Sequence, residues 1–148
     1  MKKIKFEITT PERVVLKREA DSLTVPTAEG EITLLPGHIP LVAVLRPGMV
    51  TVRNGQDEEY LAVAAGFLEV QPDGRVLALA DAADRADDLD LAKVEEARER
   101  AVRELEEARR TDDVSAAAAM AALEREMARI KVAVRHRGRP PRQPHSDS

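Results

Sequence analysis

The hydrophobic period of the chain changes once, near residue 85, and this change limits the folds that are available to it. From residue 2 to residue 9 apolar and polar side chains alternate, which is the period of a strand with one buried face. From Leu91 onward apolar residues recur at steps of three and four, which is the period of a helix. The sequence therefore predicts a β domain followed by helices.

Short apolar runs continue through the first half and are separated by turn residues such as Asn54-Gly55 and Pro72-Asp73-Gly74. Many short strands with Gly and Pro between them favour a sandwich or a barrel over an α/β sheet. After the first strand, the runs that predict strands are residues 14–16, 22–25, 31–35, 41–45, 49–53, 60–64, 67–70 and 75–80.

The second half predicts two helices with a short break at residues 110–113, and hence an antiparallel hairpin. Their apolar positions are Leu91, Val94, Ala97, Ala101, Leu105 and Ala108 in the first helix, and Met120, Leu123, Met127, Ile130 and Val134 in the second. Because alanine buries little apolar area, we expect the hairpin to dock weakly and to be able to occupy more than one position.

The predicted fold class is therefore α+β, with an N-terminal antiparallel β-sandwich followed by a C-terminal antiparallel α-helical hairpin. The sandwich is assigned to residues 1–84 and the hairpin to residues 85–135. Residues 136–148 are rich in Arg and Pro without periodicity, which predicts a basic, disordered tail.

Composition and motifs exclude several function classes. The chain contains no cysteine, and its three histidines are too scattered to predict a metal site. With two Phe, one Tyr and no Trp, it has too few aromatic residues to bind nucleic acid by stacking. Phosphate-binding loops, dinucleotide glycine patterns and hydrolase elbows are absent, so no catalytic residues are assigned.

Two features have both a structural and a functional interpretation. His38 follows the Pro36-Gly37 turn signal without a second catalytic residue type nearby, which favours a loop or interface histidine over a base or a ligand. The basic residues from Arg125 onward are either a solvated face with a solubilising tail, or a cationic surface for an acidic protein segment or a nucleotide phosphate.

Five motifs, in order, resemble the epsilon subunit of bacterial F-type ATP synthases. They are EGE at 29–31, PGHIPL at 36–41, LRPGM at 45–49, GFLEVQP at 66–72 and ADAADRADDLD at 80–90. The resemblance implies a non-catalytic rotor subunit of the central stalk, with a β-sandwich and a helical hairpin, that couples rotation of the c-ring by proton flow to ATP synthesis.

The resemblance also implies partners and site residues. The sandwich is expected to dock on the gamma subunit and the c-ring through Glu29, Glu31, Pro36, Gly37 and His38. The hairpin is expected to extend toward the alpha and beta subunits and to oppose ATP hydrolysis. The basic residues implied for that contact with the beta subunit are Arg125, Arg129, Lys131 and Arg135.

No cofactor is required on this interpretation, but some members of the family bind regulatory ATP at the folded hairpin. The matching positions are Asp90, Lys93, Arg100, Arg125 and Arg129. Lys93 stands where the motif has arginine and Val94 where it has alanine, so we expect weak binding, because lysine lacks the bidentate fork of arginine.

The sequence shows no secretory signal, and its apolar runs are too short for a membrane helix. The protein is therefore expected at the cytoplasmic face of the cell membrane, held there only through its complex. Two alternatives remain open at this point: a free-standing ATP sensor, and an unrelated β-sandwich adaptor with a helical arm.

Overall fold

The computed structural model describes residues 2–111 and 113–138, and within them the chain forms ten strands, a short 3-10 helix and two α-helices. The strands are β1 Ile4–Thr9, β2 Val14–Ala20, β3 Ser22–Thr27, β4 Gly30–Leu34, β5 Leu41–Leu45, β6 Gly48–Asn54, β7 Asp57–Val63, β8 Gly66–Val70, β9 Arg75–Ala80 and β10 Ala83–Arg85. The 3-10 helix is Ala86–Asp88, α1 is Leu91–Thr111 and α2 is Asp113–Arg137. The predicted β-sandwich followed by a helical hairpin is confirmed.

The sandwich has two layers that share one continuous network of strand pairs. One layer has the order β10-β7-β6-β3-β4, and the other has the order β5-β8-β9-β1-β2. They are joined where Thr27 pairs with Leu45. The core lies between them and is aliphatic apart from Phe6, with fully buried side chains such as Leu23, Leu61 and Leu68.

Strand direction differs from the prediction at one place. Among the described strands all pairings are antiparallel except that β1 lies parallel to β9, with Phe6 beside Val76 and Ile8 beside Ala78. The other edge of β1 is already taken by its hairpin partner β2. The free edge of β1 therefore pairs with β9, and the path of the chain between the two strands makes them parallel.

Gly66 permits the close approach of β8 and β9. A Cβ atom at this position would lie 2.0 Å from the carbonyl oxygen of Leu79, and backbone cannot move aside cheaply. The glycine thus keeps these two strands paired where Phe67 and Leu79 are also partners.

The segment that connects the sandwich to the hairpin is partly ordered on the sandwich. Strand β10 pairs with β7, with Asp84 opposite Ala62, and Ala86 of the 3-10 helix is buried. Three residues are too short for periodicity to reveal a strand. This segment holds the start of the hairpin against the sheet edge.

The hairpin begins at Asp90, which caps α1. Its Oδ1 accepts the backbone N–H of Ala92 at 3.0 Å and that of Lys93 at 3.4 Å. The buried residues of α1 are four of those that the stripe predicts: Val94, Ala101, Leu105 and Ala108. Helix α1 packs on α2, and α2 packs on β6 and β7.

The hairpin boundaries differ slightly from the prediction. Helix α2 continues through His136 and Arg137, two residues beyond the expected end at 135. Asp112, in the expected break between the helices, and residues 139–148, in the expected tail, lie outside the described residues.

Candidate functional site

Helix α2 docks on the sandwich through small side chains. Ala128 and Val132 are 6% and 0% exposed and pack with Tyr60, Ala62 and Ala86. Met49 and Leu89 line the edge of this cluster. The contact is small, as the alanine content of the helices predicts.

The predicted apolar seam of α2 is wrong at three positions. Met120, Met127 and Val134 are 40%, 51% and 53% exposed, whereas the buried positions are Ala128, Val132 and Ala133. At about 100° per residue, the three exposed side chains form one line that is set well away from Ala128 and Val132. Close approach to the sheet selects the small residues, and hydrophobicity alone does not reveal this.

Arg129 lies within the docking interface, whereas the sequence left open a solvated face or a cationic surface for it. Its Nε is 3.1 Å from Asp84 Oδ2, and both side chains are 24% exposed. Its Nη1 donates to Glu126 Oε2 at 3.0 Å. The guanidinium is therefore flanked by a carboxylate of the sandwich and a carboxylate of its own helix.

Arg135 lies against the aromatic ring that the same interface buries. Its Cζ is 5.8 Å from the centroid of the Tyr60 ring, within cation–π range. Hydrogen bonding with Tyr60, followed by Coulombic attraction to it, raises the pKa of Arg135 above the ordinary value for arginine. The Tyr60 hydroxyl also donates to Glu58.

His136 connects the end of α2 to the segment after the sandwich. Its Nε2 lies 3.1 Å from Asp87 Oδ1, a contact that becomes an ion pair when the imidazole is protonated. Asp87 is also 3.8 Å from Arg85, whose guanidinium is 3.8 Å from Glu59. The charged contact thus continues from α2 onto β7.

The other predicted hairpin residues are not gathered into one site. Arg125, Lys131, Lys93 and Arg100 are exposed. The carboxylate of Asp90 is used by the N-terminus of α1. Of the positions implied for ATP, Arg129 is the one that is seen in the docking interface, where it is paired with protein carboxylates.

The predicted loop residues form two ordered turns. Gly37 has a φ of 85°, and the His38 N–H donates to Leu35 O at 3.2 Å, so Pro36 and Gly37 occupy the centre of a tight turn. The half-buried His38 ring bonds the next carbonyl, because its Nδ1 lies 2.7 Å from Ile39 O.

Glu29 and Glu31 are exposed at the β3–β4 turn. Thr27 Oγ1 closes this turn by donating to Gly30 O at 2.6 Å. The turn also lies beside β5, because the Ala28 N–H donates to Val44 O at 2.9 Å. The two acidic residues are therefore held next to the strand that carries Val42 and Val44.

An exposed apolar row crosses the outer face of the second layer. Val44, Phe67 and Leu79 are neighbours on β5, β8 and β9, and they are 49%, 58% and 60% exposed. Thr9 and Val14 continue the row on β1 and β2. A groove of about 490 Å³ runs beside it. An exposed row of this kind is a candidate interaction surface.

The apolar row was missed in the sequence, although a signal for it exists. In β8 and β9 the inward positions include Leu68 and Ala78, so Phe67 and Leu79 must point outward, where polar residues are the rule. Asp84, Asp87 and Tyr60 were also missed as docking residues, because only the fold brings α2 to them.

Within residues 2–111 and 113–138, no three His, Asp or Glu side chains are grouped closely enough to hold a metal ion. Over the same ranges, neither helix combines the length and the apolar character that crossing a membrane requires.

Comparison with known proteins identifies the family. Residues 3–86 match the family model described as ATP synthase, Delta/Epsilon chain, beta-sandwich domain. An ATP synthase epsilon chain of Dehalococcoides mccartyi is 41% identical over 95% of this chain and 99% of its own. One from Moorella thermoacetica is 46% identical over 90% of this chain and 98% of its own.

Solved structures agree with this result. A chain in the mitochondrial ATP synthase of Euglena gracilis, determined with OSCP, F1 and c-ring, superposes with a TM-score of 0.74 at 25% identity. The match covers 89% of this chain and 81% of that one. A chain from the central stalk and c-ring of the Tetrahymena thermophila enzyme shares the fold, with a TM-score of 0.50 at 16% identity over 58% of this chain and 69% of that one.

A β-sandwich that carries a docked helical hairpin, together with these matches, defines the chain as a subunit of the ATP synthase complex. Within this class, the match of the β-sandwich family model and the nearly full-length matches to epsilon chains identify one family. The chain belongs to the ATP synthase epsilon-chain family.

The docking interface predicts that two valines of α2 contribute differently to docking. Val132→Ala should weaken docking by about 1–3 kcal/mol, because it removes buried apolar area and leaves a cavity. Amide hydrogen exchange in the second half of α2 should become correspondingly faster.

Val134→Ala is the matched control, because it is the same substitution at a half-exposed position outside the interface. Equal exchange rates in the two variants would contradict the assignment of Val132 to the docking contact.

Proposed function

We propose that this chain is a rotor subunit of the central stalk, where it couples c-ring rotation to ATP synthesis and restrains ATP hydrolysis through its hairpin. The observation that carries the rotor assignment is the exposed row of Val44, Phe67 and Leu79 on the outer face of the sandwich. Family membership favours this function over an unrelated adaptor.

The row would dock on the gamma subunit. Its three members contribute adjacent apolar area from three paired strands, so the surface is rigid before binding and costs little entropy to order. The Glu29 turn lies at the β5 end of this row, because Ala28 is bonded to Val44.

The two ordered turns would contact the c-ring. Glu29 and Glu31 present exposed carboxylates, and Pro36 and Gly37 hold His38 in a fixed orientation. Polar loops of the c-ring would be complementary to such a surface. The chain would then lie at the cytoplasmic face of the cell membrane through its complex alone.

The hairpin would be the regulatory element. On the helix side its docking rests on one alanine, one valine and partly exposed charged contacts, each of the latter worth about 0.2–1 kcal/mol. A difference of a few kcal/mol can be reversed by an alternative partner.

In the extended position, Arg125, Arg129, Lys131 and Arg135 would meet an acidic segment of the beta subunit and oppose hydrolysis. Arg125 and Lys131 are exposed already, whereas Arg129 and Arg135 would first leave Asp84 and Tyr60.

Regulatory ATP binding at the folded hairpin is a further proposal, involving Asp90, Lys93, Arg100, Arg125 and Arg129. To bind Arg129, the phosphates would have to displace Asp84 and Glu126 from it. Lys93 carries its charge on one amino group and lacks the bidentate geometry of arginine. Binding would therefore be weak.

The inhibitory role predicts the effect of a truncation. Deleting residues 88–148 should raise ATP hydrolysis by the assembled complex and leave coupling largely intact, because the sandwich and its apolar row are retained. Hydrolysis and ATP-driven proton pumping should be measured on the same membranes.

The control substitutes Arg98 and Arg103 by alanine, since both are exposed arginines on α1 outside the proposed contact. A hydrolysis rate that is the same with and without the hairpin would refute the inhibitory role.

The gamma-docking surface is tested by placing a charge in the row. Phe67→Glu should reduce the gamma subunit recovered with the purified chain by tenfold or more, because burying an unpaired carboxylate costs at least about 1.4 kcal/mol. Co-purification from native membranes is the measurement.

Val114→Glu is the matched control, because Val114 is an exposed apolar residue at the distant hairpin tip. His38→Ala should affect recovery of the c-ring without altering the gamma contact. Undiminished recovery of gamma with Phe67→Glu would exclude the row as its docking site.

ATP binding is tested by calorimetric titration of the full chain with Mg-ATP. We expect weak binding, and tighter binding in Lys93→Arg, because arginine restores the bidentate contact to phosphate. Lys17→Arg, on the sandwich, controls for the exchange of side chains. An absence of heat at millimolar ligand in all three proteins would end the proposal.

A further inference from the structure

The segment between the sandwich and the hairpin directs two carboxylates at α2. Asp84 of β10 contacts Arg129, and Asp87 of the 3-10 helix contacts His136, each at 3.1 Å. These two contacts join residues that are more than 40 positions apart in the chain, so they exist only while α2 is docked.

We propose that Asp84 and Asp87 form an acidic latch, which holds α2 in its folded position and competes with the inhibitory contact for Arg129. The hairpin would then be retained by the carboxylates of the protein itself, without a nucleotide. The effect on hydrolysis rests on the proposed function, whereas the latch does not.

The spacing of the two pairs fits a single docking register. Arg129 and His136 are two helical turns apart, or about 10.5 Å along α2. Asp84 lies in β10, and Asp87 lies three residues later in the 3-10 helix, so each carboxylate meets a different turn of α2. A shift of α2 by one turn would therefore break both contacts together.

The latch is anchored to the sheet by strand pairing. Asp84 lies opposite Ala62 in the pairing of β10 with β7, and this pairing does not involve α2. Arg85 contacts both Asp87 and Glu59, which restrains the second carboxylate. A preorganised anionic edge loses little entropy on pairing.

Arg129 is the shared component of the two states. Its charge is balanced in the folded hairpin by Asp84 on one side and Glu126 on the other. A guanidinium held by two carboxylates is not available to a third acidic surface. Docking and inhibition are therefore mutually exclusive, and removing Asp84 should shift the balance toward the extended hairpin.

The latch can be measured in the isolated full-length chain. The sequence contains no cysteine, so Gln56→Cys on the β6–β7 turn and Met127→Cys on the exposed side of α2 accept two spin labels. Asp84→Asn and Asp87→Asn should each lower the ratio of docked to undocked hairpin about two- to fivefold. The ratio should also fall with added salt in the unsubstituted latch, because salt screens exposed charges.

Asp73→Asn is the charge-matched control, because Asp73 pairs with Arg75 within its own turn and lies outside the hairpin contact. Arg129→Met supplies an independent check. If the pair acts as proposed, Asp84→Asn should have little additional effect in that background. A double Asp84→Asn, Asp87→Asn variant whose label distances match the control at low and high salt would overturn the latch.

A second measurement separates the latch from the proposed function. In the assembled complex, the double variant should lower ATP hydrolysis, because more hairpins extend. If truncation at residue 88 fails to raise hydrolysis, the inhibitory function is refuted, while the label distances still decide the latch. If truncation raises hydrolysis but the double variant does not lower it, the competition for Arg129 is refuted.

Discussion

Strand β7 is covered on both faces, and the relation between the two parts of the molecule depends on this. Leu61 and Val63 point into the core of the sandwich, while Tyr60 and Ala62 lie beneath α2. The four consecutive residues are all buried, as expected for a strand between two layers. The same strand carries β10 on its edge, and through it the carboxylate that contacts Arg129.

The two outer faces of the sandwich are built for different kinds of contact. The face of β5, β8 and β9 presents large side chains such as Phe67 and Leu79 on paired strands, where much apolar area can be buried at once. The face of β6 and β7 meets α2 through Ala128 and Val132, where little area is buried and charges surround it. The first composition suits a lasting contact, and the second suits one that is made and released.

Sequence periodicity predicted the first strand and the buried stripe of α1, but it did not predict how α2 contacts the sandwich. Alternation in residues 4–9 and the stripe of α1 depend on one buried face, so they could be predicted from local order. The relative burial of Met127 and Val132 could not be predicted in this way, because the surface that α2 packs on is made by β6 and β7, which are far away in sequence. The turn at Pro36 and Gly37 was predictable from residue type, whereas the partner of Arg129 was not.

The position of the charged contacts determines how a weakly docked helix can still choose one place on the sheet. Because apolar contact is not directional, Ala128 and Val132 alone would define the position of α2 on the sheet only loosely. Arg129 and His136 define it closely, because their partners Asp84 and Asp87 are fixed by β10 and the 3-10 helix. Apolar contact therefore supplies the attraction, and the polar contacts of Arg129 and His136 supply the register. Because partly exposed ion pairs contribute little net free energy, the helix can be positioned accurately without being held firmly.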